Sequence, residues 1–432
     1  MGKLAGTLVA GSIFVVGTAF AVQPPDVVAS DGANNTAMGT DALKSLTDGT
    51  DNTASGEQAL GDNTSGFFNT ALGSFALSTN TTGPDNTAVG FIALSLNQTG
   101  YSNTGLGAFS LYNNVSGNEN VAVGVESLYH SYSGSQNTAV GNGSLQSNDF
   151  GEQNTASGYQ TLYYNVSGNH NTADGSEALF SNIDGASNTA SGYHALYAND
   201  HGYHNSTFGT DSMSATTSGA SNSALGFSAL GANTSGSNNI ALGAYAGSLF
   251  ATGSNNIHIG SKGLAGDNAH IRIGTQGTQS ATYIAGISGT HVTGAAVYVT
   301  SSGQLGVLAS SERYKTAIAP MDSRTEKLQQ LRPVTFHLKS EPKGEVQYGL
   351  IAEEVARVYP ELVIRDDSGR VEGVRYDELA PMLLNELQKE HAHLLEAQTL
   401  IESQNGRLDA LQEQMEKLGS RMAEVASAGT AR

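Results

Sequence analysis

The sequence predicts a mainly β protein: a parallel β-solenoid, then a smaller α+β unit and a C-terminal coiled coil. Three observations carry this. An Asn recurs every 17 residues from Asn35 to Asn256. Of the 20 Lys and Arg residues, only Lys3, Lys44, Lys262 and Arg272 precede residue 310. Apolar residues recur in heptads from Leu383 onward. Two chemically different proteins are joined near VLASSERYKTAI, residues 307–318.

At the N-terminus Lys3 introduces the apolar run LAGTLVAGSIFVVGTAFA, and Ala19-Phe20-Ala21 fits the small-x-small rule for cleavage. Residues 1–21 are expected to be a secretory signal peptide and 22–31 a linker. The mature chain would then be secreted or work at the cell surface. An uncleaved anchor helix is the alternative, since the run is almost long enough to span a bilayer. A length of 432 residues accommodates two or three domains. With no Cys there is no disulfide framework and no Cys-based metal site. The net charge of -19 argues against nucleic acid and anionic membrane surfaces as partners. No cofactor is implied.

The repeat occupies residues 32–260. Its unit reads G-x-x-N-T-A-x-G-x-x-A-L, followed by a polar turn that usually contains Asn. Gly stands three residues before and four residues after every repeated Asn. Eight residues after it comes Leu, with Met213 as a conservative exception and Gly247 as a departure. Two Gly per unit and so much Asn are incompatible with helix. Short alternating stretches such as NTAVG, separated by Asn- and Gly-rich turns, fit strands. A fixed period without slips makes each unit one coil of a solenoid. The glycines then mark corners where φ is positive or backbones approach closely, and the Asn column can form a hydrogen-bonded ladder. With neighbouring strands about 4.7 Å apart, the stack would be roughly 65 Å long. One coil with a Leu and a few Ala buries little, and solenoid edges are sticky. Three rolls sharing an apolar axis, a homotrimer, are therefore expected.

The strings NTAMG, NTALG, NTAVG and NIALG resemble the head repeats of trimeric autotransporter adhesins of the YadA type, over residues 32 to about 260. The resemblance implies a left-handed parallel β-roll of three interlocked chains and an adhesive role. The 17-residue period is longer than those heads usually use and implies a longer turn. The chain closes on EVASAGTAR, without alternating strands or a terminal aromatic, so no membrane-spanning anchor is expected after signal cleavage. His130, His170, His194, His201 and His204 occupy variable positions and read as surface decoration, not as a metal site. Tyrosines cluster in SLYHSY, TLYYN and YHALYAND. They suit either a face for a host-surface glycan or protein, or simple packing at a coil corner. Carbohydrate cleavage is not expected, because no pair of in-cleft carboxylates stands out among such similar coils.

Residues 261–309 form a β-rich neck, with strands expected in HIRIG, ATYIAGI and AAVYVTSSGQLGVL. Residues 310–380 read as the α+β unit. TEKLQQL is a short helix, VTFHLK a strand, YGLIAEEVARVYP a strand running into a helix ended by Pro360, and LVIRDDSGRVEGVRY a hairpin. From Tyr376 a helix runs nearly to the end, with a coiled coil over 381–425. One core position holds Leu387, Leu394, Ile401, Leu408, Met415 and Met422, and the other Leu383, Glu390, Ala397, Gln404, Leu411, Leu418 and Val425. These residues do not decide between two and three strands.

SSERYKTAI, LQQLRPVTFHLK, YGLIAEEV, YPELV and VRYDELAPMLLNEL, in that order, resemble the intramolecular chaperone domain of phage endosialidases and tail spikes, over residues 310 to about 393. The resemblance implies a domain that trimerises, guides folding of the β-structured stalk before it, and then cuts itself off. On the motif Ser-Asp-x-Arg-x-Lys, Ser310 matches the nucleophile and first residue of the released fragment, and Ala309 is the residue before the cut. Arg313 and Lys315 match the Arg and the dyad lysine, while Ser311 stands in place of the Asp. Chemically, Ser310 Oγ can attack the Ala309 carbonyl if a neutral Lys315 takes its proton, and Arg313 can lower that lysine's pKa or hold the oxyanion. Alternatively, Ser310 and Ser311 cap the next helix, with Glu312 in its first turn. The expected activity is at most a single-turnover self-cleaving serine peptidase with no external substrate. The chain as a whole reads as a secreted, adhesin-like trimeric fibre assembled by its own chaperone. The alternative is a phage or prophage tail fibre or tail spike that binds host glycans.

Overall fold

A computed structural model describes residues 29–285, 287, 294–300, 302–366 and 368–429. The signal peptide and nearly all of the linker lie outside the described residues. The chain divides into two units, one up to Ile284 and one from Ala285.

The first unit is a parallel β-solenoid with one three-residue strand per coil, from Thr36–Met38 to Ile257–Ile259, all within one 16-stranded sheet. Partners lie 17 residues apart in strict register, as in Thr53↔Thr70, Ala54↔Ala71 and Ser55↔Leu72. The middle residue of the strand, Ala in most coils, points inward and its neighbours outward. Inside, the Ala column (Ala54, Ala71, Ala88) and the Leu column (Leu60, Leu77, Leu94) are fully buried. A single chain therefore encloses its own interior. The surface left for a shared axis is the outward side of the strands, where Leu72, Leu106, Val140, Phe208, Leu225 and Leu242 are exposed.

The expected Asn ladder is present and has two rails. Each repeated Asn accepts from the next coil's Asn backbone and donates its amide to a Gly carbonyl of that coil. Asn137 N donates to Asn120 Oδ1 at 3.0 Å, and Asn137 Nδ2 donates to Gly151 O at 2.9 Å. All fourteen ladder Asn, Asn35 to Asn256, are buried, so these bonds replace water that the amides have lost. Both ends of the rail are closed. Asp31 Oδ1 accepts from Asn35 N at 3.0 Å, the bond a preceding Asn would have made. At the other end Asn256 Oδ1 accepts from His270 N at 3.0 Å. The second rail runs through the turn, with Asn80 Nδ2 donating to Asn63 Oδ1 at 2.9 Å and Asn97 Nδ2 to Asn80 Oδ1 at 2.7 Å. It breaks where Ser131 and Thr216 replace Asn, and Asn114 Oδ1 and Asn199 Oδ1 are left without partners.

The two Gly columns serve different purposes. Those after the strand, Gly39 to Gly243, have φ between 115° and 140°, which side chains rarely adopt. Those before it are placed for proximity: a Cβ on Gly219 would lie 2.5 Å from the Gly236 carbonyl oxygen. Left-handed backbone also falls on side-chain residues: on the inward Leu, at φ 52° in Leu60 and 53° in Leu77, and on outward positions such as Gln58 at 54° and Phe68 at 56°.

The last coil is shorter, pairing Ile257 with Ile271 over 14 residues. Inside, Phe250 stands where the turn rail carries Asn233 and His258 where the coil before carries Ala241, with ring centroids 5.1 Å apart. Burial pushes the His258 pKa down. Asp267, 3.6 Å away, is held well below the usual carboxylate range by Arg272, which donates to it from Nε and Nη2 at 2.6 Å each. Of the neck segments, HIRIG supplies the strand Ile271–Ile273, and AAVYVTSSGQLGVL a two-stranded pair, Tyr298–Val299 with Leu305–Gly306. The described residues of ATYIAGI, 281–285 and 287, form no strand.

In the second unit two 3-10 turns, Asp322–Thr325 and Leu328–Gln330, stand where TEKLQQL was expected to be a helix. Pro333 follows closely, and a residue before proline is driven out of the α region. Val334–Phe336 pairs antiparallel with Gln347–Gly349. Helix α1, Ala352–Val358, stops before Pro360, and Val363–Arg365 pairs with Val371–Val374 as the expected hairpin. Val355, Tyr359, Leu362 and Val363 make a small core. Helix α2, Tyr376–Gly429, runs for 54 residues. Its apolar heptads are exposed, Leu387 at 66% and Leu394 at 61%. No described helix is long and apolar enough to cross a membrane.

Candidate functional site

Ala309 and Ser310 lie in irregular backbone ahead of a single 3-10 turn, Glu312–Tyr314. Ser311 precedes the turn in extended conformation (φ -65°, ψ 141°), and its side chain makes no capping hydrogen bond. The turn folds the chain back on itself: Tyr314 N donates to Ser311 O at 3.0 Å and Lys315 N to Glu312 O at 2.9 Å. This reversal brings Lys315 Nζ to 3.5 Å from Ser310 Oγ. The two predicted dyad residues are therefore neighbours, at a distance that a small rotation would turn into a proton-transfer contact. Arg313 points elsewhere, its guanidinium 5.0 Å from the centre of the Tyr314 ring. Ala309, Ser310, Arg313 and Lys315 are all exposed.

Residues far along the chain support this unit, and sequence reasoning missed them. Thr325 is fully buried, and its Oγ1 meets three groups on α2: the Glu386 carboxylate, Asn385 Nδ2 at 2.6 Å and Lys389 Nζ at 3.3 Å. Asn385 Nδ2 also donates to Asp322 O at 3.2 Å. The hydrogen bond from Thr325, and after it the one from Lys389, holds the Glu386 pKa down. Arg332 donates to both oxygens of Glu354, at 2.6 and 3.2 Å. Tyr376 Oη, at the start of α2, accepts from Leu350 N at 2.8 Å. These contacts join residues 22 to 64 positions apart, and no local motif announces them.

Residues 310–364 match the family described as chaperone of endosialidase. The match begins at Ser310 itself, takes in the dyad, the pair Val334–Phe336 with Gln347–Gly349, and α1, ends within Val363–Arg365, and leaves the solenoid outside it. No curated protein and no solved structure matches the chain. A chaperone-of-endosialidase domain following a β-solenoid of about fourteen coils fits a tail-spike-like or fibre-like protein that assembles as a trimer.

Proposed function

We propose that the chain is a trimeric fibre whose C-terminal domain aligns three copies of the solenoid and then removes itself by cutting between Ala309 and Ser310. The observation that carries this reading is the 3.5 Å approach of Lys315 Nζ to Ser310 Oγ at the first residue of the chaperone match.

The step balances within the chain. Ser310 Oγ attacks the Ala309 carbonyl carbon and gives its proton to neutral Lys315. As the C–N bond breaks, the Ser310 nitrogen takes that proton, leaving an ester between Ala309 and Ser310 Oγ. The Ser310 amine is then already free, and water hydrolyses the ester to a new carboxylate at Ala309 and the restored Ser310 hydroxyl. Neutral lysine requires loss of solvent around the amine or a nearby cation. Packing of three domains would supply the first, and a swing of Arg313 the second. α2 would join its copies as a coiled coil through the exposed Leu387–Met422 stripe. An assembly domain answers a physical need, because every 17-residue slip between repetitive chains looks almost correct.

Secretion, kinship with YadA-type heads and an adhesive role belong to the same proposal. They rest on the N-terminal apolar run and on the NTAxG repeats. Intact mass of the expressed protein beside Ser310→Ala and Lys315→Ala tests the cut. The wild type should lose the fragment from Ser310 onward, and both variants should stay whole. A trimeric wild-type chain of undiminished mass would leave the chaperone role and remove the cleavage.

A further inference from the structure

The residue before each φ-positive glycine forms a single outward file along the solenoid. In order it reads Met38, Ser55, Leu72, Val89, Leu106, Val123, Val140, Ser157, Asp174, Ser191, Phe208, Leu225, Leu242 and Ile259. Strict pairing stacks these residues directly, as in Val140↔Ser157, Ser157↔Asp174, Asp174↔Ser191 and Ser191↔Phe208. Apart from Ser55, the file is apolar at both ends, and it is polar for three consecutive coils in between.

We propose that this file is the contact between copies of the chain in the assembled shaft, and that Ser157, Asp174 and Ser191 divide it into two separate apolar segments. The inference rests on the self-assembly proposed above. Three features single out another copy as the occupant. The apolar residues are large and exposed, Leu106 at 46%, Phe208 at 46%, Leu225 at 51% and Leu242 at 44%, although the chain's own interior is already closed. Such a row of exposed apolar groups marks an interaction surface. Second, no Lys or Arg occurs in residues 45–261, so the file offers no counter-charge to an acidic partner and no cation to repel its own copies. Third, the pattern is self-matching: parallel copies at equal height set apolar coils against apolar coils and the polar triplet against itself.

The same arrangement sets three Asp174 carboxylates facing one another around the axis. Like charges at close range repel, so the triplet is the weakest level of the contact. Its flanking Ser157 and Ser191 are small enough to leave room for water. The two apolar segments, Met38–Val140 and Phe208–Ile259, then hold the copies together from either side.

The chain contains no Cys, so one introduced thiol reports one position. The test uses the full chain, first sized in solution and then treated with a short bismaleimide. Leu106→Cys should give a covalent pair at twice the chain mass. Phe150→Cys, 56% exposed on a turn, should not. In parallel, Asp174→Leu should raise the temperature at which the assembly dissociates, and Leu225→Asp should lower it. A trimer that forms no pair through position 106 overturns this contact while leaving the assembly reading intact. A chain that stays monomeric overturns the assembly reading and the contact with it. Both Leu residues are solvent-exposed in the single chain, so failure of the coil to fold would show separately as lost β circular dichroism.

Discussion

In the solenoid a residue's decisive neighbours are its own copies, 17 positions before and after it. In the C-terminal unit they are unrelated residues tens of positions away, and Thr325 with Glu386, Asn385 and Lys389 is the type of contact that matters. The first region hides its interior completely, with Leu60 to Leu230 at or near zero exposure. The second has a four-residue buried core and a 54-residue helix whose leucines stay exposed. The difference shows where each region finds its stability. A coil is held by the coil above and the coil below, inside one chain, whereas the apolar stripe of α2 is exposed among the described residues.

The comparison can be broken most severely at a coil corner. A Cβ on Gly107 would lie 2.5 Å from the Gly124 carbonyl oxygen, at a φ of 136°. Gly107→Val should destabilise the solenoid by about 3 kcal/mol or more, because one misplaced coil interrupts a one-dimensional stack. Denaturation followed by β circular dichroism would read this. The melting of a fragment that begins at Ser310 has no Gly107 in it and supplies the reference. An unchanged solenoid midpoint would mean that coils are not coupled as drawn.

A smaller effect of opposite sign is expected where the turn rail is broken. Ser131→Asn would give the orphaned Asn114 Oδ1 a donor and offer Asn148 Nδ2 an acceptor, as at intact rungs. Restoring such bonds in a buried site should add about 1–2 kcal/mol, seen as a higher unfolding midpoint. A fall would show that the coil at Ser131 has already repacked around serine.

The smallest effect is in pH. Burial depresses the His258 pKa, so the unfolded chain takes up a proton below the ordinary value of 6.5 that the folded chain refuses. Stability contributed by neutral His258 is therefore complete above that pH and declines below it. Asp267 and Asp31 have depressed pKa values, set first by Arg272 and by Asn35 respectively, and their share declines only below the ordinary 3.8. Melting at pH 7.5 and 5.5 should show a modest drop in midpoint. His258→Ala, which restores the residue most coils carry there, should abolish the drop if His258 causes it.

Much of the architecture was legible in the sequence because repetition turns a tertiary contact into a sequence interval. The Asn column, both Gly columns and the Leu column were all readable from spacing. The left-handed Leu was not, since nothing in its chemistry favours that backbone. The 14-residue last coil was hidden too, because His270 delivers a backbone N–H where each earlier coil uses Asn. The thin core predicts three rolls about a shared apolar axis, and the single chain closes its own interior while exposing the apolar outward side of its strands. At the candidate site, Ser310 and Lys315 were legible because they lie five residues apart on one turn. Thr325 and its partners on α2 were not, since no interval repeats there.

The Asn rail with its two closed ends has a consequence for heredity. Asp31 finishes one end and the His270 backbone the other, and every unit between them presents the same donor below and the same acceptor above. A gene that gained or lost one unit by unequal recombination would still encode matched ends. Only the length of the shaft would change, in steps of about 4.8 Å. Length in this molecule is thus inherited as an integer.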